Sequence, residues 1–502
     1  MVFENQLIKE ILEKYRTLWA LGHAMGLMGW DSETYMPREG VTERAIARAE
    51  LSVLRQKLLL KPEFVELVEK AKGLEGLNEF EQGVVRVLDR EISIMKKLPP
   101  EHVYEFTKVT QEAVEAWRIA REKDDFEKFR PYLEKIVELS KKTAEYLGYE
   151  EHPYNALLDL YEEGLTIRDM DYVYDSIIPH SRHVLDKVMG EGYFPSKHEL
   201  EDVKYEREPF EKVNKEILDL LGYPWSRGRL DVSPHPFTIG LGVKDVRITT
   251  RYEGIDFRNT IYSVIHEYGH ALYELQIDER FIATPLATGV SMGVHESQSR
   301  FWENIIGRSR AFIPHMKKIL DKYVDFVKEY SEEELYRYVN TVRPSLIRVE
   351  ADEVTYNFHT YLRYQLEKLL IAGEIKVSDL PELWAEEMER LLGVKPKTYR
   401  EGVLQDIHWS HGSIGYFPTY TLGNVLAAQI RAKAEADLNS LREKIIEGDF
   451  EAIKAYLKEK IHRWGSTYPP KVLIEKATGE GINPEYFNNY LTNKFLAKNC
   501  LL

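Results

Sequence analysis

The chain has 502 residues, 43% of them apolar and 30% charged, a composition typical of a globular protein with a large core. Its net charge of −15 argues against nucleic acid as a partner, because phosphate binding needs a concentrated basic surface. No apolar run approaches the ~18–20 residues of a membrane span, and the N-terminal segment lacks a signal-peptide pattern, so we expect a cytoplasmic protein without membrane contacts. The single cysteine, Cys500, excludes an intramolecular disulfide and a thiolate-rich zinc site.

Most of the chain shows the apolar periodicity of amphipathic helices. One apolar stripe runs from Leu7 to Trp19 and another from Phe80 to Leu88. Further helices are predicted over residues 102–121, 126–146, 167–189, 209–221, 345–371, 424–446 and 450–463. There is no internal repeat and no linker rich in Pro, Gly or Ser. The simplest fold is therefore mainly α, with a single domain over residues 1–502 that a groove divides into two lobes.

The segment from Phe237 to Tyr252 is the exception to this helical pattern. Apolar and polar residues alternate from Asp245 to Thr250, which indicates a β-strand, and Gly240 and Gly242 predict a turn or bulge just before it. Two interpretations of the strand stay open. Its edge could pair with an extended peptide, or it could belong to a small hairpin in the core.

The next segment contains an H-E-x-x-H zinc signature at residues 266–270, in a run without proline and with helical apolar spacing. Residues four apart lie on one face of a helix, so His266 and His270 can reach a single metal ion. Glu267 directly follows the first ligand, where its carboxylate can accept a proton from a catalytic water. Taken alone, the motif could also be a histidine pair on an ordinary amphipathic helix.

A zinc site of the peptidase type needs a third protein ligand and one open position. Glu296 opens a second segment of helical periodicity and is the predicted third ligand. Asp278 and Glu279 lie closer in sequence, but they follow the predicted end of the zinc helix. His295 precedes Glu296 directly, and consecutive helical side chains point about 100° apart. It is therefore expected to support the site or to bind peptide, without binding the same ion.

Six motifs follow one another between residues 235 and 409: H-P-F at 235–237, D-x-R-x-T at 245–249, H-E-x-x-H at 266–270, H-E-S-Q at 295–298, I-R-x-x-A-D at 347–352 and G-x-x-Q-D-x-H-W at 402–409. In this order, and without departure at a defined position, they resemble those of the thermostable zinc carboxypeptidases, metallopeptidase family thirty-two, the carboxypeptidase Taq-like family. The resemblance implies a zinc-dependent carboxypeptidase that removes single amino acids from the free C-terminus of peptides, with broad side-chain tolerance.

The resemblance also implies an architecture and an assembly. We expect a helical domain with two lobes around a deep groove, a small β-sheet beside the zinc helix, and N-terminal helices that cover the groove. One Zn2+ per chain is expected, for which Co2+ can substitute, and the chain is expected to form a homodimer.

Transition-state stabilisation requires donors to the oxyanion besides the metal. By analogy with related helical zinc peptidases, a His and a Tyr provide them, and His408 and Tyr420 are the predicted pair. Tyr416 is the alternative tyrosine and a predicted substrate contact. Gln405 and Asp406 are expected to brace the segment that carries His408.

Release of only the last residue requires recognition of a free α-carboxylate, which suits the planar fork of arginine. Arg348 is the predicted anchor, at the start of a predicted helix on which Asp352 and His359 follow along one polar stripe. A structural ion pair between Arg348 and Asp352 is the competing interpretation. Arg247, on the predicted edge strand, is the second candidate anchor.

Two further positions bear on the site. His235 either orients substrate or is buried beside Pro236, and the sequence does not separate these alternatives. Some related zinc peptidases carry a supporting acid four residues beyond the glutamate ligand. Arg300 occupies that position here, so the supporting acid is expected elsewhere.

Two other functions compete with the carboxypeptidase. A zinc oligopeptidase or dipeptidyl carboxypeptidase would share every zinc residue and differ in where the carboxylate anchor lies. A metal-free peptide-binding protein could keep the fold. The intact Glu267 argues against the second of these, because a binding protein has no need of a general base.

Overall fold

The computed structural model describes residues 2–497, and helices pack around a large apolar core, which confirms the mainly α prediction. Cys500 lies outside the described residues. The helices of the first half are α1 (Gln6–Thr34), α2 (Val41–Leu59), α3 (Pro62–Lys72), α4 (Glu79–Lys97), α5 (Pro100–Lys123), α6 (Arg130–Leu147), α7 (Tyr154–Tyr161), α8 (Ile167–Glu191) and α9 (Arg207–Leu221). Those of the second half are α10 (Arg258–Leu275), α11 (Met292–Arg300), α12 (Ile313–Tyr323), α13 (Glu332–Val339), α14 (Tyr356–Ala372), α15 (Leu380–Leu392), α16 (Pro418–Asp437), α17 (Leu441–Glu447), α18 (Phe450–Lys460), α19 (Pro470–Thr478) and α20 (Glu485–Phe495).

The helix predicted over residues 345–371 is wrong in its first part. α14 begins only at Tyr356, and the preceding loop contains a single 3-10 turn, Arg348–Glu350. The carboxylate of Asp352 accepts hydrogen bonds of 2.9, 3.0 and 3.0 Å from three backbone N–H groups of this loop. Because a side chain satisfies these donors, the loop is stable without helical hydrogen bonds.

The helix predicted over residues 424–446 is interrupted. α16 ends at Asp437 and α17 begins at Leu441. Between them, Asn439 and Ser440 have φ angles of +56° and +124°, which a right-handed helix does not accommodate.

The described residues contain one three-stranded sheet, formed by β1 (Gly228–Val232), β2 (Thr238–Gly242) and β3 (Asp245–Thr250) in the order β1-β3-β2. β3 is parallel to β1 and antiparallel to β2, with the predicted irregularity between Gly240 and Gly242. The predicted strand is therefore a hairpin of two strands. β3 is central and has no free edge, and the edge strands of the sheet are β1 and β2. The hairpin interpretation is therefore confirmed, and pairing of a peptide with the edge strand β2 stays open.

The sheet separates the zinc helix from the N-terminal helix. Directly opposite residues of antiparallel strands share a face, and Thr238 pairs with Ile248 while its hydroxyl contacts Glu267 of α10. Arg247 points to the other face, where its guanidinium lies 4.6 Å from the ring centre of Trp30 in α1. α10 thus covers one face and α1 the other.

The apolar core consists of two clusters. The larger contains α5 to α20, including α10, α11 and α16. The smaller belongs to α1–α4 and is completed by Val243, Ile277, Phe281 and Leu286 from the neighbourhood of the sheet and α10. Over residues 2–497, no helix combines the length and apolarity that crossing a membrane requires.

Candidate active site

His266 and His270 extend from one face of α10 toward Glu296 of α11. Nε2 of His266 is 3.6 Å and Nε2 of His270 is 3.3 Å from the same oxygen, Oε2 of Glu296. One ligand atom from each residue lies within 4.8 Å of the others, and residues 2–497 contain no other such group of three or more His, Cys, Asp or Glu side chains. Two imidazoles and a carboxylate are a donor set that suits Zn2+. The structure therefore brings the predicted trio together.

Glycines allow α11 to lie close between α10 and α16. A Cβ atom at Gly269 would be 2.5 Å from the carbonyl oxygen of Gln298, and one at Gly423 would be 2.4 Å from Cγ of Glu296. Real Cβ atoms essentially never come so close to another atom, so a larger residue at either position would force its neighbours to shift. Gly269 is the last variable residue of the H-E-x-x-H motif, and this contact sets where Glu296 lies relative to the two histidines.

Glu296 is held in one orientation by its own helix. Nε of Arg300 donates to Oε1 at 2.6 Å, and the hydroxyl of Ser299 donates to Oε2 at 3.1 Å. Burial raises the pKa of Glu296, but the charges of Arg300 and then His266 outweigh it and hold the pKa well below its usual range. Arg300 thus keeps this predicted ligand ionised and oriented.

The supporting acid expected elsewhere is Glu303. Its Oε2 lies 2.8 Å from Nδ1 of His266, and it belongs to a π-helical segment, Phe301–Gly307, that continues α11. Burial raises the pKa of Glu303, but Arg300 and the bond to His266 bring it down to about 2. Sequence reasoning missed this residue, although seven positions after Glu296 is two helical turns and the same face.

His295 contacts the second ligand from the side away from Glu296. Its Nδ1 lies 2.7 Å from Nδ1 of His270, whereas Nε2 of His270 faces Glu296. The geometry agrees with the prediction that His295 supports the site without binding the same ion.

Glu267 is buried between α10 and β2, with 6% of its surface exposed. The hydroxyl of Thr238 donates to its Oε2 at 2.6 Å. Burial raises the pKa of Glu267, although His266 and the bond from Thr238 act in the opposite direction. A raised pKa suits a carboxylate that takes up a proton and passes it on.

His408, Tyr416 and Tyr420 form a connected group at the start of α16. Nε2 of His408 is 3.1 Å from the hydroxyl of Tyr420, and the ring of Tyr420 packs edge-on against the ring of Tyr416, with 5.2 Å between the ring centres. Both tyrosines are within electrostatic range of Glu296. Burial, followed by the charge of Arg348, lowers the pKa of His408 to about 3, so its imidazole is neutral. The structure thus brings the predicted His and both candidate tyrosines together, and the charge of Glu296, a predicted metal ligand, acts on both tyrosines.

Arg348 is 6% exposed and has other partners than the predicted Asp352. Its Nε and Nη2 donate to Oδ1 of Asp406 at 3.0 and 2.9 Å, and its Nη1 donates to the hydroxyl of Tyr356 at 2.8 Å. The ion pair with Asp352 is wrong, because Asp352 instead accepts from backbone N–H groups. Gln405 accepts from the backbone N–H of Arg348 at 2.9 Å, so Gln405 and Asp406 brace Arg348.

The second candidate anchor, Arg247, is tied to a neighbour on its own strand. Its Nε and Nη2 each donate to Asp245 at 2.8 Å. It lies on the sheet face that packs on α1, opposite the face that contacts Glu267. The structure does not bring Arg247 together with the metal ligands.

The side chain of His235 is exposed, so the alternative of a buried histidine is wrong. The carboxylate of Glu33, near the end of α1, acts electrostatically on His235 and also on His411. His235 of the first motif and His411, two residues after the last motif, therefore both lie near the end of α1.

Comparison with known proteins identifies the family. The family model of carboxypeptidase Taq (M32) metallopeptidases matches residues 10–495. The chain belongs to this family. The thermostable carboxypeptidase 1 of Pyrococcus furiosus is 57% identical over 496 residues, with 99% of each chain covered. The resemblance carried by the six motifs is confirmed, and the protein is a peptide hydrolase of the metallopeptidase class.

Solved structures agree with this assignment. The "Apo-Mg" structure of Pyrococcus furiosus carboxypeptidase has a TM-score of 0.97 at 57% identity, covering 99% of this chain and 100% of that one. Trypanosoma cruzi metallocarboxypeptidase 1 has a TM-score of 0.93 at 34% identity, covering 98% and 100%. The helical fold with its small sheet is therefore the fold of the family.

Proposed function

We propose that this chain is a zinc-dependent metallocarboxypeptidase that releases single amino acids from the free C-terminus of peptides, with broad side-chain tolerance. The observation that carries the proposal is the convergence of His266, His270 and Glu296 beside the buried Glu267. The name of the Pyrococcus furiosus relative, a thermostable carboxypeptidase, supports action at the C-terminus over internal cleavage.

The donor set fits a zinc ion. His266 and His270 direct Nε2 toward Glu296, and each Nδ1 has a hydrogen-bond partner, as is usual for ligating imidazoles. Zn2+ held there would polarise the scissile carbonyl and lower the pKa of a water molecule. Co2+ accepts the same ligand types and is expected to substitute.

Glu267 serves as the general base. Its carboxylate takes the proton of the attacking water and later donates one to the leaving amine. The hydroxyl of Thr238 holds one carboxylate oxygen at 2.6 Å, which restricts rotation of the group. Burial on the helix that also carries both histidines keeps Glu267 next to the reacting atoms.

His408 and Tyr420 serve the oxyanion. A neutral imidazole and a phenol are both hydrogen-bond donors, and the 3.1 Å contact between them keeps the two groups together. Tyr416, whose ring packs against that of Tyr420, is proposed to contact substrate beside them.

Charge balance supports Arg348 as the carboxylate anchor. Arg348 and Arg363 share one buried acid, Asp406, which leaves one positive charge of the group unbalanced. Glu367 does not fully balance it, because burial raises its pKa to about 7. An uncompensated buried charge is costly, and the α-carboxylate of a bound peptide would compensate it.

Donor count supports the same role. A guanidinium has five N–H donors, and Arg348 directs three of them to Asp406 and Tyr356. One further hydrogen on each terminal nitrogen can hold a carboxylate bidentately. The guanidinium also lies 5.0 Å from the ring centre of Tyr420, next to the proposed oxyanion donors.

Product analysis tests the reaction class. A blocked dipeptide, a longer peptide with a free C-terminus and a C-terminally amidated peptide are incubated separately with the zinc-loaded protein, and the masses of the products are measured. Free amino acid from the two free-acid substrates, with no cleavage of the amidated peptide, is the expected result. Release of dipeptides from the longer free-acid peptide would instead indicate a dipeptidyl carboxypeptidase, and internal fragments of the amidated peptide would indicate an oligopeptidase. Full zinc occupancy without any cleavage would indicate a peptide-binding protein.

The Glu267→Gln variant tests the base. The amide keeps the shape of the side chain but cannot accept the proton, so turnover should fall by about 10²–10⁴-fold while zinc content stays at the parent level. Parent-like turnover at full zinc occupancy would contradict the proposed role.

The variants Arg348→Ala and Arg247→Ala test the anchor. Loss of a charged contact to a carboxylate costs about 1.5–3 kcal/mol, so kcat/KM for a free-acid peptide should fall roughly tenfold to a few hundredfold in Arg348→Ala. Its discrimination between free-acid and amidated peptides should shrink, with zinc content unchanged. If only Arg247→Ala lost the discrimination between free-acid and amidated peptides, the carboxylate anchor would be Arg247 on the sheet.

We further propose a cytoplasmic homodimer, as the resemblance implies, in which α1–α4 cover the entrance to the groove. The electrostatic contact of Glu33 with His235 and His411 supports the position of α1. Light scattering of the purified protein tests the dimer, and a molar mass near that of one chain would contradict it.

A further inference from the structure

We infer that His295 is a positioning residue, which holds His270 in the tautomer that metal binding requires, through a chain His270–His295–Glu274. The inference rests on the proposed role of His270 as a zinc ligand. Nδ1 of His270 lies 2.7 Å from Nδ1 of His295, and Nε2 of His295 lies 2.9 Å from Oε1 of Glu274. These two short contacts join the ligand to a buried acid through a second imidazole.

The positions of the hydrogens on the two imidazoles follow from Glu274, the acid at the end of this hydrogen-bond chain. A carboxylate accepts hydrogen bonds, so Nε2 of His295 carries a hydrogen and donates it to Glu274. In a neutral imidazole the other nitrogen is then an acceptor, so the Nδ1–Nδ1 contact requires His270 to donate. This leaves Nε2 of His270, which faces Glu296 at 3.3 Å, with a free lone pair. The chain thus selects the one tautomer of His270 that can bind a metal at that nitrogen.

The protein backbone packs closely around the hydrogen-bond chain His270–His295–Glu274. Glu274 is 6% exposed, and the N–H of Gly289 donates to its Oε1 at 2.7 Å. A Cβ atom at Gly289 would be 2.7 Å from Cδ2 of His295, and one at Gly240 of β2 would be 3.1 Å from Oε2 of Glu274. Two glycines therefore let the backbone approach both His295 and Glu274 closely.

The two ligating histidines are supported differently. Nδ1 of His266 contacts a carboxylate, Glu303, directly at 2.8 Å. Nδ1 of His270 contacts an imidazole, and the acid lies one residue further away. The hydrogen-bond acceptor at Nδ1 of His295 should therefore matter more for metal binding than its link to Glu274.

Two substitutions of His295 separate these functions. In His295→Asn the amide oxygen takes the place of Nδ1, which keeps the acceptor for His270 and loses the link to Glu274. In His295→Gln the amide takes the place of Nε2, which keeps the link and loses the acceptor. Zinc affinity of the metal-free protein is measured by competition with a chromogenic chelator. Thermal unfolding of each metal-free variant controls for folding.

We expect His295→Gln to weaken zinc binding roughly 10–100-fold, the usual effect of removing such an outer partner, and His295→Asn to recover most of that loss. Equally weakened zinc binding in both variants would mean that packing causes the effect, and this would overturn the inference. Parent-like zinc affinity in His295→Gln would also overturn it. A parent protein that binds no zinc would overturn the proposed metal site itself, which distinguishes the two failures.

Discussion

Replacing Gly269 with alanine tests whether the contact between α10 and α11 sets the metal site. The new Cβ would lie 2.5 Å from the carbonyl oxygen of Gln298 and 2.6 Å from Cα of Ser299, whereas ordinary contacts begin at 3.4 Å. Both neighbours are backbone atoms, so α11 must move away by about 1 Å or accept strain of about 1–3 kcal/mol. Because Glu296 lies on α11, the movement separates it from both histidines, and zinc sites require ligand distances within about 0.2 Å.

The expected result is weaker zinc binding. If zinc binding pulls α11 back, the strain of about 1–3 kcal/mol reduces the free energy of zinc binding. The Kd for zinc then rises roughly 5-fold to 150-fold. The matched control is Gly22→Ala in α1, where no atom lies within 4 Å of the new Cβ. It should raise stability by roughly 0.5–1 kcal/mol and leave zinc affinity unchanged. Chelator competition and calorimetry of the metal-free proteins provide both readouts. Parent-like zinc affinity and unfolding temperature in Gly269→Ala would refute the reasoning.

Three further outcomes can be checked with similar material. Glu296→Ala should lose zinc on dialysis and Glu279→Ala should retain it, and stoichiometric zinc in Glu296→Ala would mean that the third ligand lies elsewhere. Glu303→Gln keeps an acceptor for His266 but removes its charge, so zinc affinity should fall by roughly tenfold or more, and an unchanged Kd would contradict the supporting role. Burial raises the pKa of Glu162 from 4.5 to about 7, so the folded protein favours the protonated form. The resulting contribution to the free energy of unfolding is complete below pH 4.5 and is lost as the pH rises through about 7. Glu162→Gln should therefore gain up to about 3 kcal/mol relative to the parent between about pH 5 and pH 8, and parallel unfolding profiles would contradict this.

The parts of the site that depend on local spacing were predictable from the sequence. Two histidines four positions apart on a periodic helix must share a face, and this follows from helix geometry alone. Glu296 required more, because several acids stood at comparable distances along the chain, and the ordered motifs resolved the choice. The mainly helical fold followed from apolar periodicity in the same local way.

The parts that depend on distant partners were not predictable. Arg348 pairs with Asp406, 58 residues further on, and the expected i,i+4 partner Asp352 instead organises a loop. The hydrogen-bond chain from His270 through His295 to Glu274 joins two helices. His270 and Glu274 are four positions apart on α10, but no spacing relates either of them to His295 on α11. The need for a small residue at Gly269 comes from the carbonyl of Gln298 on another helix, and this contact leaves no signal in the sequence.

The division of the apolar core into two clusters has a consequence for how this enzyme can diverge. Every residue proposed for chemistry or for the metal packs with the larger cluster or the sheet, whereas α1–α4 pack mainly among themselves. We expect substitutions and insertions in α1–α4 to accumulate with little effect on the metal ligands. Relatives could therefore acquire new preferences for the length or bulk of a peptide by exchanging these four N-terminal helices, while the hydrolytic machinery is inherited unchanged.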